Sequence, residues 1–217
     1  MRSRSETLPV SQILMLAGLA AAMAVSLVDP LYPENSWLQH APTALVLVML
    51  PPLLRRYPLS NGAMGCITGV FLLHCLGAHY SYSFVPYDDW ARWLTGQTIS
   101  EAFGFTRNHY DRLAHFAFGL LAIMPAREVA TRHLGLSRRL AAYIAFGFVI
   151  EASFAYEVFE WLLAVFMSPA SADAYNGQQG DIFDAQKDMA LAAFGAATAT
   201  GLLACSAHWR RRTAGRA

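Results

Sequence analysis

Six apolar segments divide this chain, and their lengths restrict its fold more than any other feature. They run roughly over Pro9–Val28, Ala41–Leu54, Gly62–Tyr80, His109–Ala126, Leu140–Phe166 and Phe183–Ala207. A helix that crosses a bilayer needs about 20 residues. The second segment is the shortest. It ends at Pro51 and Pro52, and it reaches spanning length only if Trp37 and Leu38 extend it. The chain is 55% hydrophobic and 14% charged, whereas soluble domains carry about 25% charged residues. The sequence therefore predicts an all-α polytopic membrane protein. It is a bundle of six transmembrane helices forming a single domain over residues 1–217.

The first segment has Arg2 and Arg4 ahead of its apolar run, as a signal peptide would. No small-x-small cleavage site leads into a hydrophilic mature domain, and further spans follow, so it reads as a retained helix.

Basic residues alternate between the connections. Arg2 and Arg4 precede the first segment, and Arg55 and Arg56 follow the second. Arg127, Arg132, Arg138 and Arg139 join the fourth to the fifth, and Arg210, Arg211, Arg212 and Arg216 follow the sixth. These are twelve of the sixteen basic residues; Arg92, Arg107, Arg112 and Lys187 fall on the other side. The positive-inside rule then predicts cytoplasmic N- and C-termini. The partners expected are membrane lipids, with homo-oligomerisation left open and no nucleic acid. Cys66, Cys75 and Cys205 lack Cys-x-x-Cys spacing and read as small packing residues.

Between the third and fourth segments, Tyr87, Trp90, Trp93 and Leu94 recur at helical spacing with Asp88, Asp89 and Arg92 between them. This pattern predicts a short amphipathic helix lying in the interface. Gly65 and Gly69 form a Gly-x-x-x-Gly pair suited to close helix packing. Pro125 is expected to kink or end the fourth helix.

Against this apolar background stand nine polar side chains: His79, Asn108, Asp111, His115, Glu157, Glu160, Asp181, Asp184 and Asp188. Asn108, Asp111 and His115 follow an i, i+3, i+7 pattern, one face of a helix, and Asp181, Asp184 and Asp188 repeat it. Glu157 and Glu160 stand at i and i+3, and Tyr80 follows His79. Odd segments run outward and even ones inward, so all four sets fall at one depth, near the outer face. Each has a plainer explanation. Asp181, Asp184 and Asn108 suit helix starts, and His79 or His74 can serve as hydrogen-bonding residues. Capping does not extend to Asp188, farther along its helix.

Six carboxylates cannot all stay charged in a dry site. Arg107, Arg112 and Lys187 balance only part of the charge. The remainder suggests a divalent metal ion: Zn²⁺, Mn²⁺ or Fe²⁺ for mixed imidazole and carboxylate ligands, Mg²⁺ for an oxygen set. The expected ligands are Asp111, His115, Glu157, Glu160, Asp184 and Asp188. His79, Glu157 and Asp181 are the candidate catalytic groups. Tyr80, Asn108, Arg112 and Lys187 are the candidate substrate-binding groups, the last two through a phosphate. Glu151 lies deeper on the fifth segment and is a candidate proton-path residue.

Four blocks occur in order: His79-Tyr80-Ser81-Tyr82; Arg107-Asn108-His109-Tyr110-Asp111-Arg112 with His115-Phe116; Tyr156-Glu157-x-x-Glu160-Trp161; and Gly177-Gln178-Gln179-Gly180-Asp181-x-x-Asp184-x-Gln186-x-Asp188. Together they resemble the bacterial inner-membrane family of unknown function typified by YjdF. The resemblance implies a small polytopic inner-membrane protein and no particular activity. A slighter likeness is to VanZ-type proteins, associated with glycopeptide resistance. It rests on a glutamate-bearing helix, a loop, and an aspartate-led helix with Gly195 beyond, and it transfers no role. The leading expectation is a metal-dependent hydrolase or transferase of the outer leaflet acting on a lipid or amphiphile. The rivals are a small ion- or proton-coupled transporter and an accessory structural subunit.

Overall fold

The structure, a computed structural model, describes residues 7–168, 172 and 175–214, the last eight by backbone alone. Arg2, Arg4 and Arg216, assigned above to the basic side, lie outside the described residues. All regular structure among them is helical: α1 (Val10–Ser26), α2 (Pro33–Arg56), α3 (Asn61–His79), α4 (Tyr87–Thr95), α5 (Ile99–Phe103), α6 (Tyr110–Arg132), α7 (Arg138–Phe166) and α8 (Asp184–Ala214).

Five helices, α2, α3, α6, α7 and α8, are long and apolar enough to cross a membrane. The expectation about the weakest span is corrected. It is α1 that falls short, with 17 residues, or about 26 Å at 1.5 Å per residue. The second helix has 24 residues and starts at Pro33, not near Ala41. Proline suits a helix's first turn, where its missing N–H would be unpaired anyway. The first turns of α2 are polar, yet Asn35, Ser36, Gln39, His40 and Thr43 are all buried.

Of the two outcomes expected at Pro125, a kink or an end, the end is excluded: α6 continues to Arg132, with Pro125 buried inside it. The short helix expected from Tyr87, Trp90, Trp93 and Leu94 is α4, and a second short helix, α5, follows it in the same connection. α5 opens with a reciprocal cap between Thr98 and Glu101, and Asp88 of α4 accepts from the Ser100 N–H at 2.9 Å. Trp93 and Leu94 of α4 are exposed.

The helix starts follow from short polar side chains. Ser60 caps α3 by accepting from the Ala63 N–H, and Ser137 caps α7 by accepting from the Leu140 N–H. α6 is the central helix and packs on α3, α7 and α8. Its core with α7 and α8 is built from Ala122, Ile123, Ala145, Val149, Ala192 and Ala196. Small residues let helices in lipid approach closely, which is where their attraction comes from. The closest approach involves Gly119 and Gly195, and not the Gly65–Gly69 pair. A Cβ on Gly119 would lie 2.0 Å from the Ala192 carbonyl oxygen, whereas one on Gly65 would meet only a methionine methyl at 4.0 Å.

α3 ends, α6 begins, the last third of α7 passes and α8 begins at the same end of the bundle. The polar residues of all four helices therefore gather there.

Candidate functional site

The site grows from the parallel crossing of α6 and α8. Asp111 and His115 are one turn apart on α6, and Asp184 and Asp188 are one turn apart on α8. α7 brings Glu157 alongside. All five are buried, Asp188 to 2% of its surface. His115 Nε2 lies 3.7 Å from Asp111 Oδ1 and 3.5 Å from Glu157 Oε1. One ligating atom each from Asp111, His115 and Asp188 lie within 4.8 Å of one another. Ligands sit about 2.0–2.6 Å from a shared ion, so one ion can reach all three. Glu157 Oε1 and Asp188 Oδ1 are buried without a hydrogen-bond partner. Glu160 lies one turn beyond Glu157, within electrostatic reach of Asp111 and Asp188.

The cations sit elsewhere. Arg107 Nη1 donates to Asp184 Oδ1 at 2.7 Å and its fork also holds the Gln178 and Gly177 carbonyls. Arg112 Nη2 and Lys187 Nζ both donate to Asp181 Oδ2, at 2.5 and 2.6 Å. Asp181 precedes α8 and does not share its face; its Oδ1 accepts from the Phe183 N–H. The Lys187 hydrogen bond first, then the Phe183 N–H and Arg112, hold its carboxyl down at about 2. Three cations thus serve Asp181 and Asp184. Asp111, Glu157, Glu160 and Asp188 remain around His115 with no lysine or arginine ion pair among the described residues. Buried carboxylates in that condition must take up protons or a cation.

The structure separates the other candidate residues from this group. Asn108 lies before α6, and its Oδ1 accepts from the Tyr110 N–H at 2.9 Å in a local turn. Its amide donates to the Val85 carbonyl, and its backbone pairs with Gln179. His79 donates to the Ser26 carbonyl at 3.1 Å and packs edge-on to Tyr80. These two therefore join α3 to the α1–α2 connection and, through Trp90, to α4. Glu151 is exposed, on the side of α7 away from Val149 and Ser153.

A cavity of about 260 Å³ opens beside the site. Its walls are mainly Pro42, Val70, Phe71, Leu73 and Phe118, and Asp111, His115, Ser153 and Tyr156 reach it from the polar side. Tyr82 also lines it, from a turn made by Ser81 and Tyr82. Both have positive φ, 52° and 53°, a costly backbone for residues with side chains. The resulting reversal lays the Tyr82 ring on Gly77, where a Cβ would clash at 2.8 Å. The Tyr82 hydroxyl meets His74 Nδ1 at 2.5 Å.

The sequence reading missed the polar half of α2. Asn35, Ser36, Gln39, His40 and Thr43 fall at helical spacing, and that periodicity was the available signal. His40 bonds the Ser26 hydroxyl at 3.0 Å.

The fold and site define a helical, multi-pass integral membrane protein with a buried carboxylate and histidine cluster at one end. The family described as "Predicted membrane protein (DUF2238)" matches residues 11–209, and the chain belongs to it. It is 31% identical over 202 residues to "Inner membrane protein YjdF" of Escherichia coli (strain K12), covering 92% of this chain and 88% of that one. The family expected from the four polar blocks is therefore the right one. No solved structure matches the chain.

Proposed function

We propose that Asp111, His115 and Asp188 hold a divalent metal ion, and that the protein uses it to hydrolyse or transfer a group on a lipid or amphiphile. One observation carries this reading: three ligating atoms within 4.8 Å of one another, in a carboxylate group whose neighbouring cations are engaged by Asp181 and Asp184. A nitrogen ligand with two oxygen ligands suits Zn²⁺, Mn²⁺ or Fe²⁺ better than Mg²⁺. Three protein ligands leave a position for water, which such an ion activates. Glu157, 3.5 Å from the His115 nitrogen, is the base. The 260 Å³ cavity is below the ~300–1,000 Å³ of sites that enclose a whole ligand. It suits part of an apolar chain, with the polar group left at the metal.

In the bilayer, α1 makes the sixth span, α4 lies in the outer interface and both termini are cytoplasmic. A second copy covers the exposed α7 face. Glu151 stands at the middle of that 29-residue helix, where a lipid-facing carboxylate is costly. A cysteine at Gly147, which has open space around it, should cross-link two copies in membranes.

The test is elemental analysis of purified wild type and Asp188→Ala, followed by turnover of phospholipid and acyl-ester amphiphiles in proteoliposomes. The expected result is stoichiometric metal in wild type only. Glu157→Gln should retain substantial metal and lose turnover. Metal binding with ion uptake and no turnover would replace the enzyme reading by transport. The absence of metal from both proteins would leave a structural cluster.

A further inference from the structure

A second cavity, of about 530 Å³, lies at the opposite end of the bundle, where α6 ends, α7 begins and the later part of α8 passes. Arg127, Arg132 and Arg138 line it together with Glu128, over an apolar floor that includes Met124 and Leu203. Glu128 does not neutralise all three. Its Oε1 accepts from the Ser60 N–H at 2.7 Å and from Arg132, and its Oε2 from the Ser60 hydroxyl at 2.5 Å. Arg127 Nε is buried with no hydrogen-bond partner among the described residues. Arg138 is the first residue of α7, where the helix dipole adds positive potential.

We propose that this cavity binds a phosphate anion through Arg127 and Arg138, and that the phosphate is carried by an anionic phospholipid headgroup. A guanidinium fork matches phosphate oxygens two at a time, and a phosphate oxygen is the acceptor that the buried Arg127 Nε lacks. Size separates the two sources of phosphate. At about 30 Å³ per water in the liquid, the cavity has far more room than a bare phosphate fills. The floor below the arginines is apolar, as glycerol and the first methylenes of a lipid require. Basic pockets between transmembrane helices bind such headgroups. Topology alone asks for positive charge at this end of the bundle. It does not ask for a concave cavity of this size, a buried Arg127 Nε without an acceptor among the described residues, or arginine in preference to lysine.

The experiment is binding to delipidated full-length protein in non-ionic detergent, read by native mass spectrometry and thermal shift. The probes are phosphatidylglycerol, phosphatidylcholine and inorganic phosphate. Wild type should bind phosphatidylglycerol at least tenfold more tightly than phosphatidylcholine. Arg127→Gln/Arg138→Gln should weaken it at least tenfold. Removing charge can disturb insertion, so Arg127→Lys/Arg138→Lys is the second variant and should weaken it about threefold. Arg139→Gln, outside the cavity, should leave it unchanged. Inorganic phosphate protecting the arginines at millimolar concentration, with no lipid preference, would keep the phosphate site and overturn the lipid source. Equal binding of both lipids with no phosphate effect, or both double variants within twofold of wild type, would overturn the site.

Discussion

Gly119 on α6 and Gly195 on α8 each stand where the other helix's backbone passes. A Cβ on Gly119 would lie 2.0 Å from the Ala192 carbonyl oxygen, and one on Gly195 would lie 2.2 Å from that of Phe116. Gly119 is one turn beyond His115, and Ala192 is one turn beyond Asp188. The contact that sets the crossing thus also sets the spacing of the candidate ligands.

Alanine at Gly119 or Gly195 should therefore damage both stability and site. Overpacking typically costs about 1–3 kcal/mol, occasionally more. Here the obstruction is backbone and not a flexible side chain, so the upper part of that range is expected. Gly201→Ala, with nothing within 4 Å of the new methyl, should be nearly neutral. Thermal unfolding of the three variants checks this; equal melting temperatures would mean that the two backbones are not in contact.

The two ion-paired aspartates should behave differently from Asp188. Asp184 is 5% exposed and Arg107 12%. Breaking a buried pair from one side costs about 3–5 kcal/mol, so Asp184→Ala should destabilise whether or not metal is present. A loss that chelator abolishes would place Asp184 among the metal ligands instead.

Asp181 supplies a pH test. Its folded-state pKa, about 2, is below the ordinary carboxylate value, with Lys187 the first cause. A depressed carboxylate contributes stability that is present above its unfolded pKa and lost as pH falls through the folded one. The melting-temperature gap between wild type and Asp181→Asn should be constant from pH 8 to about 5. It should narrow as pH falls from about 4 toward 2. A gap that narrows above pH 5 would contradict the ion cluster.

Orientation is checked by labelling. A cysteine at Asp89 should react with an impermeant reagent added from the periplasmic side, and one at Arg132 should not, if the arginines between α6 and α7 face the cytoplasm as the positive-inside rule predicts. The reverse pattern would invert the topology and place the acidic site at the inner face.

The segments of the bundle were legible because each long apolar run is also a helix with its own backbone bonds. The starts of helices were less legible. α2 was cut at Ala41 because hydropathy falls there, although Asn35, Gln39 and His40 are buried by neighbours distant in sequence. Pro125 was read as a kink or a stop, and α6 runs on through it with the proline buried. Of the site, His115, Asp111 and Asp188 were legible from spacing and common depth. The division of carboxylates between arginines and the histidine was not. It depends on the turn at Gly177–Gly180, whose carbonyls steer Arg107 onto Asp184. The Gly119–Gly195 contact left no mark within either segment, whereas Gly65-x-x-x-Gly69 displayed a packing motif whose Cβ positions meet only side-chain atoms.

The central claim is that Asp188, His115 and Asp111 are held together by a cation. The most direct measurement is the melting temperature of wild type, Asp188→Asn and His115→Ala, each metal-loaded and each after chelation. With a bound ion, chelation leaves neighbouring carboxylates repelling one another, so wild type should fall by several degrees. The two variants should hardly respond, and chelated Asp188→Asn should melt at or above chelated wild type because one repelling group is gone. The same chelator response in all three proteins, with no stoichiometric metal in any, would contradict the account.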